Sequence, residues 1–312
     1  MRPPRQPNAY TGSPLDRVSH RRDDDAFVAG RLADPTTVFV PVWRSKSLFR
    51  GGADGAPEPA LLSLEAAAAL GLERRPRALL GLWGERAVFA IDLSADEDPM
   101  SALGGTGELR FADLREVAGL LPAAEASVLA HARGLMHWRG RHGFCGVCGA
   151  ACRPASGGHV MVCTGCGASH FPRTDPAVIM LVTCRSGGEE RCLLAHSRRF
   201  PIARMYSTLA GFVEPGESLE EAVAREVREE AGLRVRDVRY HSSQPWPFPS
   251  SIMLGFTAET DDAALTLDDE EIADARWFTR GELRDPEGCG IRLPRVDSIA
   301  RRLILDWLED GG

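Results

Sequence analysis

The chain comprises 312 residues, 44% of them apolar, and carries a formal net charge of −7. That length suits two or three modest cores, which excludes a lone small domain, and the acidic balance excludes a broad basic field for non-specific binding to nucleic acid. No apolar run reaches the ~20 residues that span a bilayer, and the opening MRPPRQPNAY lacks the hydrophobic stretch of a secretory signal, so a cytoplasmic protein without membrane contact is expected.

Residues 1–25 are rich in Pro, Arg and Asp and show no periodicity, which predicts a disordered leader. Residues 26–139 read as a β-rich lobe with two helices. The strands are TVFVPVW and the pair ALLGLW/AVFAIDL, broken at Gly84-Glu85 as in a hairpin; the helices are FADLREVAGLL and AEASVLAHARGLMHW.

Residues 140–172 hold two C-x2-C knuckles, Cys145/Cys148 and Cys163/Cys166, separated by 14 residues. Four thiolates at this spacing form a closed tetrahedral zinc site, and a closed site holds shape rather than activating water. One structural Zn²⁺ per subunit is therefore expected, in a zinc ribbon. Cys152, Cys184, Cys192 and Cys289 are left over and are expected to be reduced and structural, as befits a reducing compartment.

From residue 173 to the C-terminus, AVIMLV reads as a buried strand, CLLAHSRR as its partner, and RVDSIARRLILDWLED as a last helix. Alternating strands and helices suit an α/β/α sandwich on a mixed sheet, so the whole chain is α+β. No internal repeat is evident.

Within this region lies GFVEPGESLEEAVAREVREEAGL, a glycine-led turn and a helix. At about 100° per residue, Leu219, Ala222, Val223, Glu226 and Glu230 share one face, so two carboxylates continue an apolar stripe, with Glu229 just beside it. Glu221, Arg225 and Arg228 take the opposite side. Ser218 and Glu221 have capping-box spacing, and Gly232 follows as a stop. Carboxylates crowded on an inward wall drive one another toward protonation unless a counter-charge is present, and an all-oxygen donor set suits Mg²⁺ or Mn²⁺.

With these residues in place, the segment resembles the Nudix box, Gly-x5-Glu-x7-Arg-Glu-U-x-Glu-Glu-x-Gly-U with U apolar. Gly211, Glu217, Arg225, Glu226, Val227, Glu229, Glu230, Gly232 and Leu233 satisfy every position. The resemblance implies that residues 173–312 are a Nudix domain that hydrolyses a nucleoside diphosphate linked to another group. Ser243-Gln244-Pro245-Trp246-Pro247-Phe248-Pro249-Ser250-Ser251 is similar to the SQPWPFPxS signature of the NADH pyrophosphatases, a subgroup also regarded as NAD-capped RNA hydrolases, in which zinc knuckles precede the box. Prolines stiffen such a loop, so Trp246 and Phe248 are expected to stack nicotinamide or adenine, with Gln244 and Ser251 as hydrogen-bond donors.

Carried over residue by residue, the resemblance implies metal ligation by Glu226, Glu230, Glu271 and the carbonyl of Ala210, joined by Glu229. Two or three Mg²⁺ or Mn²⁺ ions per subunit would sit there, with Glu226, Glu229 and Glu230 as the catalytic set; Arg225, facing away from the stripe, is suited to tie Glu217 or a neighbouring carboxylate in place. It also implies a homodimer in which Phe212 and, from the other subunit, Phe171 sandwich the nicotinamide, with Pro245, Pro247, Pro249, Ser250 and Ala300 as further substrate contacts. Arg115 is a weaker match. Two positions depart from the pattern: Gly158 stands where some members carry a substrate-contacting Glu, and Phe171 where they carry Tyr. The expected reactions are cleavage of NAD(H) to NMN(H) and AMP and removal of the NAD cap from RNA 5′ ends. ADP-ribose or another nucleoside diphosphate derivative is the alternative substrate.

Overall fold

The computed structural model describes residues 7–51, 56–103, 109–186 and 188–310, in two compact units. The first comprises Tyr10–Thr174 with Trp246–Ser250, and the second Met1–Ala9, Asp175–Pro245 and Ser251–Gly312. The ribbon falls within the first unit. Among the described residues no helix is long and apolar enough to cross a membrane.

The first unit contains, in chain order, α1 (Asp25–Ala33), β1 (Val38–Trp43), β2 (Lys46–Arg50), β3 (Glu58–Pro59), β4 (Leu62–Ser63), α2 (Leu64–Ala69), β5 (Arg77–Trp83), β6 (Arg86–Asp92), α3 (Pro99–Ala102), β7 (Leu109–Ala112), α4 (Leu114–Val117) and α5 (Ala123–Arg141). The ribbon strands β8 (Cys152–Ala155), β9 (Val160–Cys163) and β10 (Ser169–His170) follow. The sheet runs β3-β2-β1-β6-β5, with β4 on β1 and β7 on β2. Its core is Phe39, Leu48, Leu79, Phe89, Ile91 and Leu93, the inward residues of apolar runs buried too completely to alternate. Pro41 is tolerated in the central strand because β1 pairs with β4 at Val38 and Phe39 and with β2 at Val42 and Trp43, leaving the proline between the two ladders.

Two expectations for this unit need correction. The leader is folded from Tyr10 onward: Tyr10, Leu15 and Val18 are buried, and Asp16 and Leu82 exchange backbone hydrogen bonds of 2.9 and 2.8 Å. A few apolar side chains anchor a stretch whose average composition reads as solvated. Residues 1–6 lie outside the described residues. The helix expected over FADLREVAGLL is interrupted, since Phe111 and Ala112 pair with Leu48 and Ser47 in β7. Asp113 then turns the chain by accepting from the Arg115 amide at 2.9 Å.

The second unit contains β11 (Asp175–Ser186), β12 (Glu189–Ser197), β13 (Leu209–Phe212), α6 (Leu219–Ala231), β14 (Arg236–Trp246), β15 (Ser251–Thr260), β16 (Ile272–Thr279), α7 (Arg280–Arg284) and α8 (Ile299–Asp310). Its sheet runs β14-β15-β11-β12-β16, with β13 on β11. Strand β11 is buried on both faces. Val178, Met180 and Val182 meet Ala222, Val223 and Val227 of α6, whereas Ile179 and Leu181 join Leu303, Ile304 and Trp307 of α8. This is the expected α/β/α sandwich. The last helix begins at Ile299, later than its apolar pattern suggests, because the Ser298 hydroxyl accepts from the Arg301 amide at 3.2 Å and caps it.

The two units repeat one topology, which the sequence did not disclose. The order β5-β6-β1-β2-β7 matches β14-β15-β11-β12-β16, with parallel β1/β6 and β11/β15 pairs and antiparallel side strands β4 and β13. A helix follows each side strand: α2 after β4 and α6 after β13. Helix α2, LEAAAA, is only six residues long and has a single acid, Glu65, so the first unit keeps the frame without the carboxylate wall.

Gly158 has a steric reason to be glycine. Its φ is +92°, and a β-carbon there would lie 2.7 Å from both the Ala78 β-carbon and the Arg77 carbonyl oxygen. A glutamate side chain has no room at this point of the backbone. Gly158→Ala is expected to cost at least about 2 kcal/mol, from left-handed strain plus backbone overlap. Denaturant unfolding with an unchanged midpoint would contradict it.

A second prediction concerns acid. His159 is buried; Arg22 donates to its Nδ1 at 3.2 Å, and its Nε2–H donates to the Leu79 carbonyl at 2.7 Å. Burial pushes its pKa from 6.5 down to about 4, and nearby His131 is lowered for the same first reason. Between these values the unfolded chain binds the proton and the folded chain does not. Stability is therefore full above pH 6.5 and lost as pH falls toward 4. His159→Gln should flatten this part of the thermal-midpoint profile; a slope equal to that of the parent would count against the assignment.

Candidate active site

Helix α6 is set by its ends. The Ser218 hydroxyl accepts from the Glu221 amide at 3.2 Å, the Glu221 carboxylate accepts from the Ser218 amide at 2.8 Å, and Gly232 closes the helix with φ +73°. Ala222, Val223, Val227 and Ala231 pack into the core, and the same side carries Glu226 and Glu230, which are only 9% and 7% exposed. The inward carboxylates read from the periodicity are therefore present.

Glu226 rests on the backbone of β13. A β-carbon at Gly211 would overlap its carboxylate, which is why the motif begins with glycine. Arg225 holds the other side of this arrangement. It donates to Glu217 at 2.6 and 3.0 Å, to Glu226 at 2.9 Å, to Glu229 at 2.9 Å and to the Phe212 carbonyl at 2.8 Å. The expected tie to Glu217 exists, and one guanidinium also orients two more glutamates and the strand end.

Glu230 has no such partner. Its Oε2 is buried without a hydrogen bond, and burial, then Glu226 and Glu271, push its pKa up to about 8. Burial likewise raises Glu226, against the lowering effect of Arg225. Two buried carboxylates, one with an orphaned oxygen, are what a hard divalent cation satisfies, so the donor set fits such an ion.

The remaining acids are placed differently. Glu229 lies at the rim, its side chain 58% exposed, and Glu271 is 39% exposed and paired with Arg199. Arg199 went unnoticed in the sequence, where only a basic pair after a strand marked it. Among the described residues the four cysteines are the one group of three or more His, Cys, Asp or Glu donors lying within 4.8 Å of one another. Glu226, Glu229, Glu230 and Glu271 are more widely spread, with Arg225 paired to Glu226 and Glu229 and Arg199 paired to Glu271. Ala210 pairs with Ile179 in β13, one residue before the Gly211 contact.

Several expected substrate contacts sit inside the fold. Gln244 is fully buried: its amide donates to the carbonyls of Asp297 at 2.7 Å and Ala9 at 3.3 Å, and its oxygen accepts from the Ile299 amide at 2.8 Å. The oxygen and one amide proton thus meet the start of α8, and the other amide proton meets Ala9. Ala300 is 4% exposed and belongs to the core around α8.

Trp246 and Phe248 are packed rather than displayed. Their ring centroids lie 5.1 Å apart, Tyr10 stands edge-on to both, and Arg115 and Arg133 approach the Phe248 ring at 5.3 and 4.7 Å. Pro247 is buried and its carbonyl accepts from Arg133 at 2.7 Å, whereas Pro249 is exposed and Pro245, Ser250 and Ser251 are half-buried. Arg115 forms the surface ion pair with Asp113 at 3.1 Å. By contrast, Phe171 and Phe212 are 65% and 60% exposed, so neither ring is used for packing.

In the first unit, the Sγ atoms of Cys145, Cys148, Cys163 and Cys166 converge, with 3.7 Å between Cys145 and Cys166 and 3.4 Å between Cys148 and Cys163. Amides of Cys166 and Gly165 point at the Cys163 sulfur at 3.3 Å and lower its pKa to about 6. Four sulfurs so supported fit a closed zinc site.

Family models match three consecutive segments of the chain. The NUDIX domain model matches residues 173–297, an NADH pyrophosphatase-like rudimentary NUDIX domain matches 36–138, and an NADH pyrophosphatase zinc ribbon domain matches 141–171. NAD-capped RNA hydrolase NudC of Deinococcus radiodurans is 39% identical over 229 residues, covering 73% of this chain and 76% of that protein. The Mycobacterium bovis protein of the same name is 42% identical over 237 residues, covering 72% and 71%. NAD-capped RNA hydrolase NUDT12 of Homo sapiens is 41% identical over 201 residues, covering 61% of this chain and 43% of its own.

Proposed function

From a chain that belongs to the Nudix hydrolases, with the rudimentary domain and zinc ribbon of the NADH pyrophosphatases, we infer a Nudix pyrophosphohydrolase that cleaves NAD(H) to NMN(H) and AMP and removes the NAD cap from RNA 5′ ends. The observation that carries the reading is the orphaned, buried oxygen of Glu230 beside Glu226 on the box helix.

We assign Glu226, Glu230 and Glu271, with the Ala210 carbonyl and Glu229 at the rim, to hold two or three Mg²⁺ or Mn²⁺ ions. Bound there, such ions offset charge on the phosphate oxygens and lower the pKa of water. The chain's own task is placement: Gly211 leaves space for Glu226, and Arg225 keeps Glu217, Glu226 and Glu229 in register with the strand end. Phe212, with Phe171 of the partner subunit, would take the nicotinamide in a cytoplasmic homodimer. Phe171 retains a stacking face without the tyrosine hydroxyl. Gly158 offers no side chain to the substrate.

The test is a comparison of initial rates on NADH, NAD⁺, ADP-ribose and NAD-capped RNA with Mg²⁺ or Mn²⁺. NMNH plus AMP from NADH, and 5′-monophosphate RNA from the capped transcript, are expected. Fast cleavage of ADP-ribose beside slow cleavage of all three NAD substrates would replace this reading with an ADP-ribose pyrophosphatase.

A further inference from the structure

The ribbon carries a fifth cysteine that a four-sulfur site does not use. Strands β8 and β9 are antiparallel and pair Cys152 directly with Cys163, one of the four converging thiols. The hydrogen bonds around this pair define its type. Cys152 donates to the Gly143 carbonyl at 2.9 Å, Cys163 to the Ala168 carbonyl at 2.8 Å, and Thr164 to the Ala151 carbonyl at 3.0 Å. The two cysteines therefore exchange no backbone bond with each other. Opposed residues of this kind bring their α-carbons to about 4.5 Å with both side chains on one face, inside the roughly 4.4–6.8 Å range that a disulfide spans. Cys152 is half-exposed, whereas Cys163 is buried.

We propose that Cys152 and Cys163 are a reversible disulfide site through which peroxide opens the zinc ribbon. In the first step the Cys163 thiolate attacks hydrogen peroxide; the O–O bond breaks, Cys163 becomes a sulfenic acid, and one proton is taken up as water leaves. In the second, the Cys152 thiol attacks that sulfur and a second water departs, leaving the disulfide. Two thiol sulfurs have lost two electrons in total and one peroxide has become two waters. Cys145, Cys148 and Cys166 remain as a three-sulfur set, too few to close a tetrahedral site, and zinc is released. A dithiol reductant reverses the bond by exchange.

The proposal rests on the ribbon holding zinc, not on the choice of hydrolytic substrate, and its readout is independent of hydrolysis. Full-length, zinc-loaded protein is treated with hydrogen peroxide while a chromogenic chelator reports free zinc; alkylation and peptide mass spectrometry then map the bonds. The parent should release zinc and yield a Cys152–Cys163 peptide pair, and dithiothreitol with added zinc should restore it. Cys152→Ser should lack that peptide pair, accumulate irreversibly oxidised Cys163, and recover at least about fivefold less zinc than the parent after dithiothreitol and added zinc. Recovery of zinc by the variant equal to that of the parent, or disulfides mapped only among Cys145, Cys148, Cys163 and Cys166, would overturn the proposal. Should Cys152→Ser fail to hold zinc, bond mapping in the parent decides alone.

Discussion

Glu230→Gln lowers kcat by at least about two orders of magnitude, because the change removes one charge and one oxygen ligand from a site whose chemistry is electrostatic. The substitution preserves volume in a buried position, so the fold should persist. The orphaned Oε2 makes the prediction specific to this residue, since no neighbouring donor depends on it. Steady-state kinetics on NADH with saturating Mn²⁺, alongside a thermal midpoint, provide the measurement. Turnover within a fewfold of the parent would remove Glu230 from the metal site.

Gly211→Ala should act through a neighbour. The added methyl overlaps the Glu226 carboxylate, which is the far end of a flexible side chain and can swing aside while α6 keeps its core contacts. Stability is expected to change little, yet displacement of a ligand by about an ångström costs on the order of a hundredfold in kcat. Adding Glu226→Asp in the same chain shortens the crowded side chain and should recover part of the loss. A Gly211→Ala enzyme with parental kcat, or a double variant no better than the single, would show that Glu226 does not need this position.

Much of the second unit was legible from the chain alone. The box helix appears where its period and capping residues put it, from Leu219 to Ala231, with Glu226 and Glu230 turned inward. The knuckle spacing anticipated the convergence of Cys145, Cys148, Cys163 and Cys166. The SQPWPFPSS segment was a different case. Its composition suggests displayed rings, but Gln244 is consumed by Ile299, Asp297 and Ala9, and the Phe248 ring is approached by Arg115 and Arg133. Those partners stand more than fifty residues away in sequence, except for the loop's own neighbours, so no local pattern could name them.

The repeat of topology between the units escaped notice for a related reason. Strand order and parallel pairing are properties of hydrogen-bond partners, and α2 retains too few residues of α6 for a sequence repeat to show. Gly158 read as a missing substrate contact until its backbone was placed against Arg77 and Ala78.

By itself, the sequence determined what depends on spacing along one element: which carboxylates share a helical face, where that helix starts and stops, and which thiols come in pairs. Only the tertiary structure decided which of those groups are desolvated, which are already satisfied by distant backbone, and that Arg225 and Arg199 hold the rim acids. Periodicity is a local geometric property, whereas desolvation and hydrogen-bond satisfaction depend on whatever segment the fold brings alongside.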